Sequence, residues 1–175
     1  MLRSCLAMAA VLCATPALAQ NLGPIAPAAE GKLQCYSPDV VARTCAGIGS
    51  FRFAANGVIE NQGEALLSRS PAIVMRSVYT VRIKGRLECV KVRPRDLASA
   101  SFVVDGRLAS PAEAAALRSD IRAANSSVIG REACEGYLPN GEVLTARMIV
   151  GGTPRPDLDR KMIWVSPSDG YQVAP

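Results

Sequence analysis

The chain has 175 residues, six cysteines, no histidine, and 20 Lys+Arg against 15 Asp+Glu, a formal net charge of +5. Without histidine, Ser-His-Asp and Cys-His nucleophilic catalysis are excluded. The basic excess is small for a nucleic-acid surface, so no nucleic acid is expected as a partner, but it suits an anionic envelope surface.

Residues 1–20 read MLRSCLAMAAVLCATPALAQ. Arg3 supplies a short basic region, Ser4 to Ala14 carry no charge, and Pro16 precedes the small-residue site Ala17-Leu18-Ala19. This is the pattern of a secretory signal peptide, residues 1–19, cleaved near Ala19. The apolar run falls short of the ~20 residues that a permanent membrane anchor needs. Leu12 stands before Cys13 where lipid attachment wants a small residue. An exported chain is therefore expected, periplasmic or secreted, and its basic excess falls from five to four with the loss of Arg3. No second hydrophobic segment of spanning length follows, so the mature chain is expected to have no transmembrane segment.

Residues 20–31, ending in the Pro- and Ala-rich NLGPIAPAAEG, lack periodicity and read as a flexible leader. Residues 32–175 are expected to form a single disulfide-stabilised α+β domain, long enough for a real core. Cys5 and Cys13 leave with the signal, and Cys35, Cys45, Cys89 and Cys134 remain. Their wide spacing, with no C-x-x-C and no histidine, argues against a zinc or redox site and for two structural disulfides. Of the three pairings open to four cysteines, Cys35–Cys45 with Cys89–Cys134 is favoured. Ser37-Pro38-Asp39 starts a turn, and the short stretch after it can bring Cys45 back within bridging distance.

Alternation at Phe51 and Phe53, then the turn pair Asn56-Gly57, predicts a hairpin returning through Val58-Ile59-Glu60, with Gln62-Gly63 as a further break. From Ala72 to Arg95 the pattern is strongest. Ile73, Met75, Tyr79, Val81 and Ile83 share one parity; Arg76, Thr80, Arg82 and Lys84 share the other. Gly85 marks a reversal. Matching apolar residues favours a three-residue loop, Lys84-Gly85-Arg86, which sets Ile83 against Leu87 and Val81 against Cys89 and turns Cys89 inward. The parity change after Cys89 suggests a bulge there. Phe102-Val103-Val104 is a further strand. Ser110-Pro111-Ala112-Glu113 opens a helix running to about Ala124, with Ala114, Leu117, Ile121 and Ala124 on its inner side and Arg118 and Arg122 outside. Strands over Glu142–Val150 and Lys161–Val165 follow. The expected fold is a mainly antiparallel meander sheet with one principal helix packed against it and two disulfides.

The chemistry is sparse. There is no glycine-rich phosphate loop, no G-x-S-x-G and no S-x-x-K, so no catalytic residue, cofactor or metal is assigned. Asp157 and Asp159 are too few ligands for a cation and read as partners of Arg155 and Arg160. Glu60, Glu64 and Glu88 are the carboxylates from which a glycosidase-like pair could be drawn. Tyr36, Tyr79, Tyr137, Trp164 and Tyr171 read as packing. One feature leans towards binding: Arg76, Arg82 and Lys84 on one strand face, Arg86 in the turn, and Lys91, Arg93 and Arg95 beyond. The candidate anion- or partner-binding set is Arg76, Arg82, Lys84 and Arg86. The function expected is a non-enzymatic binding module for an anionic envelope component or a protein partner. The alternatives are a histidine-free hydrolase using paired carboxylates and a purely structural envelope protein.

Overall fold

The structure, a computed structural model, describes residues 22–174; the expected signal peptide lies outside the described residues. Eight antiparallel strands close into a barrel. They are β1 (Leu33–Tyr36), β3 (Gly47–Phe53), β4 (Ile59–Arg69), β5 (Ala72–Lys84), β6 (Leu87–Lys91), β9 (Glu132–Asn140), β10 (Val143–Val150) and β12 (Arg160–Val165). Each pairs with its neighbour in this order, and β12 returns to pair with β1, Gln34 opposite Trp164. The meander expected from the turns is present in its connectivity, but it is rolled shut rather than left as an open sheet. A barrel of eight strands has an interior that its own side chains just fill.

The remaining elements decorate the barrel. Short β2 (Thr44–Cys45) pairs in parallel with β13 (Gln172–Val173). β7 (Ser101–Val104) and β8 (Arg107–Leu108) extend the sheet from β5, and β11 (Thr153–Pro154) folds onto β10. Helices α1 (Pro94–Ala98) and α2 (Pro111–Ala124) complete the chain. The start of α2 is the expected one: Ser110 caps through the Glu113 N–H, and Glu113 reciprocates to the Ser110 N–H at 2.8 Å.

The helix does not back the sheet as a second layer. The first half of β5 pairs with β7 while its second half pairs with β6, so the sheet flares at Ala72–Arg76. There α1, β7 and α2 build a satellite core of Leu97, Ala100, Phe102 and Ala114, joined by Met75, Leu117, Ile121 and Ile129. Ala124 is exposed. Arg118, expected outside, turns in to donate to the Ala100 carbonyl at 2.9 Å and to stack on Phe102.

The β5–β6 hairpin is tighter than the apolar matching suggests. Lys84 faces Leu87, Ile83 faces Glu88, Arg82 faces Cys89 and Val81 faces Val90, leaving Gly85-Arg86 as the loop, Gly85 at φ 61°. The register expected from apolar matching is replaced, because Glu88 points into the barrel and Cys89 points out. The irregularity expected near Cys89 occurs instead in β4, between Leu66 and Ser68. Gln62-Gly63 does not break the chain: it lies within β4, with Gly63 opposite Gly49.

Residues Gly23–Glu30, in the stretch expected as a leader, form a 3₁₀ helix. Leu22, Ile25 and Ala28 are buried on Phe51, Phe53, Ile59, Ile83, Tyr137 and Trp164, stopping one mouth of the barrel. The spacing of these three apolar residues, interrupted by prolines, is helical only over a turn or two, which hides it from a periodicity reading. Both favoured disulfides are present, Cys35–Cys45 and Cys89–Cys134. The first sits outside the barrel under Val165, Ile163 and Tyr171; the second joins directly opposed residues of β6 and β9.

Candidate functional site

The outer face of β5 and β6 carries the cations singled out in the sequence. Thr80, Arg82, Cys89, Lys91, Arg93, Asp96 and Glu132 line a recess of about 110 Å³, the space of a few waters or one oxyanion. Strand alternation puts Thr80, Arg82 and Lys84 on one face, and pairing sets Arg82 beside Cys89 on β6. Arg93 enters as the residue before α1. Both carboxylates of the recess are engaged elsewhere: Asp96 accepts from the Arg93 backbone N–H at 2.8 Å, and Glu132 pairs with Lys84 at 2.7 Å. Among the described residues, no carboxylate lies within 4.0 Å of the Arg82, Lys91 or Arg93 side-chain nitrogens. Such a recess can accept an anion by Arg hydrogen bonds without first breaking an ion pair.

The four residues expected to act together are not one patch. Arg82 lines the recess. Lys84 flanks it but is held by Glu132. Arg86 is exposed in the two-residue turn. Arg76 lies six residues from Arg82, about 20 Å along the strand, and pairs with the directly opposed Glu64 at 2.9 Å. It borders a separate open trough of about 670 Å³ floored by Leu33, Ile48 and Val78. Lys91 and Arg93, which follow the expected set in the sequence, take the places of Arg76 and Arg86 around Arg82.

Inside the barrel lies a second cluster. Glu88 and Glu135 are cross-strand neighbours facing inward. Tyr137 Oη donates to Glu88 at 2.6 Å and lies 3.4 Å from Glu135; Gln34 Nε2 donates to Glu88 at 2.8 Å. Tyr36 Oη and the Arg160 guanidinium both donate to Glu135 at 2.7 Å, and Asn61 Nδ2 donates to Gln34 Oε1. Of the two carboxylates, Glu135 has the Arg160 guanidinium as partner, while Glu88 is held by the neutral donors Tyr137 and Gln34. Burial pushes the Glu88 carboxyl up to about 7, helped by the neighbouring Glu135 charge and resisted by the bonds from Tyr137 and Gln34. Burial also raises the Tyr36 and Tyr137 hydroxyls well above their ordinary range. Of the carboxylates considered from the sequence, only Glu88 joins this pair; Glu60 and Glu64 point outward to Arg52 and Arg76. Glu135 carries no signal in the sequence and Tyr36 and Tyr137 pass there for packing residues, because Gln34-x-Tyr36 and Glu135-x-Tyr137 look like a solvated strand face until the sheet closes. The arrangement has the parts of an acid–base pair. Neither carboxylate lines the recess at Arg82 or the trough at Arg76.

Asp157 and Asp159 diverge, the first pairing with Arg155 and the second with Arg147. Cys89, Glu132 and Cys134 form a group of metal-ligand type within 4.8 Å, but both sulfurs are joined in the disulfide and no thiolate is left. The barrel's outer face sets Arg52 against Glu60 and Arg76 against Glu64. A lipid-facing barrel would carry an apolar band there. No helix among the described residues is long and apolar enough to cross a membrane. No protein-family model, curated protein or solved structure matches the chain.

Proposed function

We propose that this chain is an exported, non-enzymatic binding module whose Arg82–Lys91–Arg93 recess takes the anionic group of an envelope component. The observation that carries this reading is three cationic side chains lining one recess whose own carboxylates are committed to Lys84 and to the start of α1. Arg82 supplies a planar two-pronged donor, Lys91 a point charge, and Thr80 a hydroxyl beside them. The paired carboxylates Glu88 and Glu135 favour a second reading, a histidine-free hydrolase. It needs a substrate route to the barrel interior, and the cavities described above offer none.

Sedimentation with vesicles tests the first reading. The mature protein should pellet with phosphatidylglycerol vesicles and stay in solution with phosphatidylcholine vesicles. Raising the salt from about 20 mM to about 300 mM should release it, because surface charge is screened over a few ångströms at that strength. The double variant Arg82→Ser/Lys91→Ser should lose the binding. Equal pelleting with both lipids, or no loss in the variant, would refute an anion site at this recess.

A further inference from the structure

Arg82 borders two cavities. On one side is the cationic recess; on the other is an apolar cleft of about 600 Å³ at the mouth of the barrel, walled by Leu22, Phe53, Val58, Ile59 and Ile83. That volume lies in the range of small-molecule sites. One wall of the cleft, Leu22, is the N-cap of the 3₁₀ segment. Its backbone hydrogen bonds run within itself, from Ile25 to Leu22, from Gly31 to Ala28 and from Lys32 to Pro27. Among the described residues it makes no hydrogen bond to a barrel strand. Apolar packing of Leu22, Ile25 and Ala28 holds it on the strands, so Leu22 can yield to an apolar chain without leaving a polar group unpaired.

We propose that the ligand of this protein is a single-chain anionic amphiphile, its head on Arg82 and its hydrocarbon chain in the cleft beside the N-terminal plug. This rests on the anion-binding reading and specifies its ligand class. Charge complementarity argues for it: a largely apolar cleft with Phe53 in its wall opens at its rim onto an arginine without a carboxylate partner. A soluble anion would use the recess and leave the cleft idle. A neutral lipid would fill the cleft and leave Arg82 without a partner.

The test uses the mature full-length protein and the fluorescent fatty acid cis-parinaric acid. Its methyl ester removes the charge, inorganic phosphate removes the chain, and dodecyl phosphate as competitor separates a phosphate head from a carboxylate. Saturable uptake of the acid is expected, at least tenfold tighter than that of the ester and far tighter than phosphate. Arg82→Ser and Val58→Glu should each weaken it at least tenfold, with circular-dichroism melting to check that both variants fold. The two residues are exposed or half-buried, and the acid-against-ester comparison needs no variant. Equal uptake of acid and ester, or unchanged uptake by both variants, overturns the proposal. Phosphate binding without uptake of the acid overturns the amphiphile and leaves the recess standing; binding of neither removes both.

Discussion

Glu88 carries the largest consequence of any single residue. The residue is 6% exposed and faces Glu135, and burial pushes its carboxyl from the ordinary 4.5 up to about 7. A carboxyl raised by folding stabilises the folded state below its unfolded pKa and loses that contribution as pH rises to the folded value. Stability should therefore fall between about pH 4.5 and pH 7, by at most about 3 kcal/mol, and level off above. In Glu88→Gln this slope should disappear, so that the variant melts higher than the parent near pH 8 and about equally near pH 4.5. Parallel melting curves for the two proteins across that range would contradict a proton held at Glu88. Gly49 is the second residue under strict demand. A Cβ there would lie 2.7 Å from Gln34 Oε1 and 2.9 Å from Asn61 Nδ2, both ends fixed in the interior network. Gly49→Ala should cost about 1–3 kcal/mol in urea unfolding, as overpacking does. Neither demand is legible in the sequence, where Glu88 sits among alternating charges and Gly49 looks like a turn residue. Each arises from what lies opposite, across a barrel closed by distant strands.

Among the elements, the 3₁₀ segment is the one on which the mouth depends. Ile25 is fully buried on an aromatic collar in which Tyr137 meets Trp164 edge-on at 6.3 Å and Phe51 lies 6.4 Å from Trp164. Ile25→Ala should cost about 2–5 kcal/mol of the segment's attachment. Because no hydrogen bond ties the segment to a strand, the loss should appear first as protease cleavage before Leu33 and as a change in Trp164 emission, with the barrel still folded. A variant whose melting and cleavage match the parent would make the segment peripheral. The elements that were legible are those with local chemistry: the Ser110–Glu113 capping box, the strand alternation of β5 and the turn at Asn56-Gly57. The β5–β6 register was not. Apolar matching assumes that a polar residue faces water, and here Glu88 faces the interior while the outward Cys89 is sealed by its bridge to Cys134 and the charged side chains around it.

For the whole molecule, the decisive contact is β1 with β12, which joins Gln34 to Trp164 and turns a meander into a barrel. No short-range pattern announces a pairing across that separation, so the antiparallel sheet and the disulfide pairing were readable while closure was not. Closure turns a polar strand face into the Glu88–Glu135 network, whereas the β5–β6 hairpin by itself brings Arg82 and Lys91 to the outer face next to Arg93. The two disulfides brace this wall and the β1–β2 turn unequally. Cys89–Cys134 closes a loop with a sequence separation of 45 and Cys35–Cys45 one of 10. Loop-closure entropy puts their loss at about 4 and about 3 kcal/mol. Paired alanine variants in urea unfolding should rank in that order; a larger loss from the shorter bridge would contradict it. The most direct measurement of anion binding is a ¹H–¹⁵N NMR titration of the chain from Gln20 onward with inorganic phosphate at low salt. A site at the recess requires saturable shifts centred on Thr80–Arg82 and Lys91–Arg93, absent in Arg82→Ser/Lys91→Ser. Shifts spread evenly over the exposed lysines and arginines, or centred elsewhere on the barrel, would contradict it.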